Sequence, residues 1–310
     1  MKKVLAPLFS LIFFFAIYNV VNAATVAIEP SHFEIKGKPG NGINGTFKFS
    51  ADTGSTYQFS IRQFEADGTQ GLIKLLPETP NYPVTKWVQF FPPITKATSA
   101  EDQTIGFRIN VPETIEEQDF YFAILASPIS PEPDPKKSSA TIQPSVASNI
   151  ILSLFDKKKI EGDIKISLTG EKIQQIDNLN LSLTVQNNLN KFQTIEGAIT
   201  LTSIVDNKNQ KIIPIIPQNI LAGAVRQMTT TLEKNIPPAI YISDINPGIY
   251  KVSSTVSGDN GIKYTSQEFT IYIVPSLGYV AYPLITILLL LTAVILSIKV
   301  FKKSKKPIDN

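Results

Sequence analysis

The chain has 310 residues, no cysteine, one histidine and a formal net charge of +3. It can form no disulfide and no zinc site of the usual Cys/His kind, and any histidine-dependent triad is confined to the surroundings of His32. Two lysines lie in the first 23 residues and five in residues 299–310, so the body between them is slightly acidic. It lacks the basic face that nucleic acid demands, and nucleic acid is excluded as a partner.

The N-terminus, MKKVLAPLFSLIFFFAIYNVVNA, places two lysines before an apolar run and small residues up to Ala23. This layout predicts a secretory signal peptide over residues 1–23, cleaved or retained as an anchor, and export in either case. An exported chain without cysteine must hold its domains by hydrophobic cores alone, which suits a bacterial envelope better than a disulfide-bridged cell-surface protein.

Alternation then dominates. Tyr57, Phe59 and Ile61 alternate with polar residues, as do Ile105, Phe107, Ile109 and Val111, which predicts half-buried strands. Residues 119–127, DFYFAILAS, are apolar on both faces and predict a strand in mid-sheet. Residues 146–155, VASNIILSLF, alternate again and pair best with 119–127 as a hairpin. The proline-rich run between them, residues 127–145, is then the tip of that hairpin rather than a hinge between domains. The charged connection FDKKKIEGD marks the boundary, giving a first domain over 24–158 and a second over 159–276.

The second half continues with Ile164, Ile166 and Leu168, with Leu179, Leu181, Leu183 and Val185, with Tyr250, Val252 and Val256, and with Phe269, Ile271 and Ile273. The turn SGDNG, residues 257–261, joins two such runs. Short strands with frequent turns predict an all-β chain of two tandem immunoglobulin-like β-sandwiches. Tyr250, after Asn246-Pro247-Gly248, reads either as the corner tyrosine of such a sandwich or as an ordinary strand residue. Residues 277–298 carry no charge and are followed by Lys299, Lys302, Lys303, Lys305 and Lys306. The pattern predicts one C-terminal transmembrane helix, with membrane lipid around it and residues 299–310 as a cytoplasmic basic tail.

No constellation for catalysis emerges. His32 has no nucleophile near it, the glycine-rich run 37–45 lacks the ending of a phosphate cradle, and Glu113, Glu116, Glu117 and Asp119 have no calcium-loop spacing. Trp87 is open to two readings, a ligand platform or core packing between sheets. No catalytic, cofactor-binding or metal residue is assigned, no cofactor is expected, and the binding residues are unknown.

The segments IEPSHFEIKGKPG, KWVQFFPPITKATSAEDQTIGFRINVP and EEQDFYFAILAS, with LNLSLTVQNNLN, GAITLTSIVDNKNQ and NPGIYKVSSTV further on, resemble the WxL-interacting family of bacterial cell-surface proteins. Pilus-assembly chaperones share a similar edge-to-edge layout. The family resemblance implies a non-enzymatic, single-pass membrane protein that displays its sandwiches to an envelope protein or cell-wall polymer in an adhesion or scaffold role. The alternative is a chaperone-like assembly factor for an exported or pilus protein, acting by strand-edge pairing.

Overall fold

The computed structural model describes residues 26–304 apart from 52–53, 79–80, 98–101, 130–144, 157, 177–178, 207–209, 231–239, 241 and 243. The expected signal peptide, residues 1–23, lies outside the described residues, as does most of the proline-rich run. The chain forms two compact units, one comprising Met1–Glu65 and Leu75–Lys157, the other Ala66–Lys74 and Lys158–Asn310.

The first stretch of chain contributes β1 (Val26–Glu29), β2 (His32–Lys36), β3 (Gly42–Ala51), β4 (Thr56–Asp67), β5 (Leu72–Leu75), β6 (Val88–Phe91), β7 (Ile94–Lys96), β8 (Gln103–Asn110), β9 (Asp119–Pro128) and β10 (Val146–Ser153). One sheet runs β1-β3-β8-β6, the other β2-β10-β9-β4-β5 with β7 also on β4. Between them the inward residues meet: Phe47 and Phe49 from β3, Phe107 and Ile109 from β8, Phe122 and Ile124 from β9, Ile150 and Leu152 from β10. The aromatic contacts are mostly edge-on, with Phe47 and Phe59 ring centres 5.3 Å apart and Phe49 and Phe59 5.4 Å apart. Strand β9 lies between β10 and β4; Phe122 and Ile124 on one face enter the core, and on the other Tyr121 meets Phe64 with ring centres 6.2 Å apart, so both faces are apolar.

The rest of the chain supplies β11 (Ile164–Gly170), β12 (Ile173–Gln175), β13 (Leu181–Asn187), β14 (Gln193–Ser203), β15 (Gln210–Ile220), β16 (Val225–Gln227), β17 (Gly248–Ser257), β18 (Lys263–Thr265) and β19 (Phe269–Val274). A three-stranded sheet, β11-β13-β16, faces a larger one of order β12-β19-β17-β14-β15, with β18 on β17. Leu183, Val185, Ile199, Leu201, Val252 and Ile271 fill the space between them. The chain is thus all-β in its body, built as two sandwich-like units.

Helix α1 (Leu277–Ser304) follows, covering the segment for which a membrane span was expected. Its described side chains lie within residues 281–296, and all of them are exposed. Among the described residues no helix is long and apolar enough to cross a membrane. The single-pass anchor, its lipid partner and the cytoplasmic placement of residues 299–310 are withdrawn on that finding.

Candidate strand-edge site

The residues that the sequence singles out do not converge. His32 opens β2 with Nε2 3.2 Å from Glu34 Oε1, both side chains exposed. Trp87 is 6% exposed, its ring 5.0 Å from that of Phe120 in the core, so it packs between the sheets and presents no platform. Among the acidic residues, Glu117 Oε2 accepts from Asp156 N–H at 2.8 Å and Asp119 Oδ2 from the Tyr121 hydroxyl at 3.1 Å. The glycine-rich run divides: Gly40 turns with φ +83°, while Gly42 and Gly45 belong to β3 itself. Gly45 is required there because a Cβ would strike the ring of Phe107. Tyr250 is buried, and its hydroxyl donates to the Asn246 carbonyl at 2.8 Å, closing the corner that one of its two readings describes.

What the fold does build is a set of strand edges, and their protection differs. At Pro30 the first strand changes sheets. β1 pairs antiparallel with β3 up to the Glu29–Lys48 pair, and β2 pairs parallel with β10, from His32 opposite Asn149 to Lys36 opposite Ser153. Proline has no N–H with which to extend the first ladder. Ser148 Oγ donates to the Pro30 carbonyl at 2.7 Å and ties the crossing to β10. Because β2 reaches only residues 149–153, residues 146–148 of β10 have β9 on one side and, among the described residues, no paired strand on the other. The Asn149 N–H donates outward to Ser31 O at 3.0 Å. By alternation Ala147 turns its N–H and C=O to that same open side.

Other edges of the first unit carry the devices that normally block strand addition. β2 alternates His32, Glu34 and Lys36 along its exposed face, and β7 is three residues long and follows Pro92-Pro93. Residues 146–148, Val-Ala-Ser, have neither charge nor proline. Sequence reasoning placed β10 in its hairpin but not its half-open side, because the length of β2 and the sheet change at Pro30 fix that side.

Comparison with known proteins gives the fold company but no family. No family model matches the chain, and no curated protein matches it. Solved structures do. The class 5 fimbriae chaperone CfaA is similar over 81% of this chain and 100% of its own, at 13% identity and a TM-score of 0.39. The Salmonella enterica SafA pilin–SafB chaperone complex is similar over 80% of this chain and 96% of the matched one, at 11% and 0.36. A chaperone–tip subunit complex from the Csu pili of Acinetobacter baumannii covers 81% and 99%, at 12% and 0.35. These are fimbrial chaperones and their complexes, not WxL-interacting proteins, and the resemblance to that family is corrected here. With it go the cell-surface adhesion or scaffold role and the cell-wall polymer as ligand. The segments quoted for the family are β-sandwich patterns that unrelated sandwiches share.

Proposed function

We propose that the chain is a non-enzymatic, chaperone-like assembly factor, built of two immunoglobulin-like sandwiches, which holds an extended segment of an exported protein by strand-edge pairing. The observation that carries the reading is the half-open side of β10, where the ladder to β2 begins only at Asn149 and, by alternation, Ala147 turns its backbone groups away from β9. A strand added there continues the line of β2 and takes its affinity from main-chain hydrogen bonds, with side-chain fit adding selectivity.

Ala147→Pro tests this on the full chain. Proline removes the outward N–H while leaving the ladder to β9 in place. An acetylated, amidated peptide of alternating threonine and valine serves as the probe strand. The wild type should slow amide exchange at Ala147 when the peptide is present. At this edge the variant should bind at least about tenfold more weakly, equivalent to roughly 1.4 kcal/mol. Equal binding by the two proteins at this edge, or peptide binding without protection at Ala147, removes the reading.

A further inference from the structure

The sheet change at Pro30 opens a second half-edge, on the other sheet, and we propose that it is a separate docking edge for an uncharged extended peptide. β1 covers β3 only from Lys48 to Ala51. Residues 42–47 pair with β8 on one side and, among the described residues, with no strand on the other. The Asn110 N–H donates to Trp87 O on the β6 side. Alternation therefore turns its partner Gly42 away from β8, and with it Asn44 and Thr46. These three are exposed, whereas Ile43 is half-buried and Phe47 fully buried.

The edge carries no charge of its own, and the Arg108 guanidinium of β8 lies over its first residue, Gly42. From Gly42 to Phe47 the sequence is GINGTF, without a charge or a proline, and six residues at about 3.4 Å each offer an edge of about 20 Å. At its end, where β1 leaves for the other sheet, lies a groove of about 590 Å³ lined by Glu29, Pro30, Ser31, Thr46, Lys48 and Thr104. Glu29 and Lys48 stand opposite each other across β1 and β3, Lys48 Nζ lies 3.6 Å from Asp102 Oδ2, and the Arg108 guanidinium lies over Gly42, so charges of both signs flank the edge in equal number. A segment with net charge gains nothing there, and one rich in small polar and β-branched residues matches both the groove and the edge. This goes beyond the function proposed for β10, since the two half-edges belong to different sheets and offer different backbone groups.

The test uses the full chain and the same threonine–valine peptide, with amide exchange read residue by residue. Peptide at saturation should slow exchange at Asn44 and Thr46 by at least about tenfold. Thr46→Lys, which leaves the backbone intact and sets a guarding charge on the edge, should abolish that protection without changing protection at Ala147. Thr46→Pro, which removes the outward donor, should do the same. Protection at Ala147 alone overturns the inference and leaves the β10 reading standing. Protection at Asn44 and Thr46 alone does the reverse, and protection at neither overturns both. A lysine variant that keeps full protection at Asn44 also overturns it.

Discussion

At the scale of single residues, the second unit depends on one asparagine. Asn187 Nδ2 donates to the carbonyls of Lys191 and Ile220 at 2.9 Å and reaches that of Leu221 at 3.2 Å, while its Oδ1 accepts from Leu189 N–H at 3.0 Å. Asn187 is fully buried. Asn187→Leu strips these partners and leaves buried backbone groups unpaired, so we expect a loss of about 3 kcal/mol, read from urea denaturation midpoints. Tyr250 gives a pH-dependent counterpart. Burial pushes its phenol above the ordinary value of about 10, and burial also raises Tyr82. The folded chain keeps these protons after the unfolded chain has begun to lose them. Their contribution is therefore complete below about pH 10 and declines as the pH rises beyond it. Denaturation midpoints at about pH 9 and about pH 11 should fall more in the wild type than in Tyr250→Phe; equal falls would remove Tyr250 from the account. Tyr250 was half legible, since NPGIY states the corner motif but not whether the hydroxyl finds its carbonyl. Asn187 was not legible at all, because its partners at 220 and 221 are distant in sequence.

Strands were the legible level. The alternations at 57–61, 164–168 and 269–273 fall on β4, β11 and β19, and that at 105–111 on β8 except for Val111 just past its end, because a two-residue period with one buried face is a local signal. Leu179 falls outside β13, which begins at Leu181. Edge protection was less legible, although proline announces part of it. Strand β15 is an edge of eleven residues, with Pro214 and Pro217 within it. Ile216 N–H donates outward to Thr229 O at 2.9 Å, so Pro214, two positions earlier, occupies a place where a further donor would face solvent. Pro214→Val restores that donor beside exposed Ile212 and should promote association. Light scattering at rising concentration should show larger species for the variant than for the wild type; matching profiles would mean that the edge is protected by other means. The candidate edges on β3 and β10 stayed hidden in the sequence for a related reason. An uncovered side is set by where a neighbouring strand stops, and the stops of β1 and β2 follow from a sheet change at one proline.

For the whole molecule, the sequence conveyed a two-unit, all-β body, and the grouping of Ala66–Lys74 with the second unit came only from the structure. Both units share a closing device. In the first, the early strand β2 lies parallel to the last strand β10; in the second, the short early strand β12 lies parallel to the last strand β19. The bond from Ser148 to Pro30 spans 118 positions. Such pairings carry a large loop-closure cost and form late. A chain ended before Val146 should lack the partner of both β2 and β9, leaving Phe122 and Ile124 uncovered. It should bind a hydrophobic dye and yield quickly to protease in the first unit, and protease resistance equal to that of the full chain would show that β10 is dispensable. The parallel closures also set a timetable for a chain delivered N-terminus first. Each unit must wait, with an early strand unpaired and its core incomplete, until its final strand arrives, so the protein passes its most vulnerable moments twice, just before residue 146 and again just before residue 269.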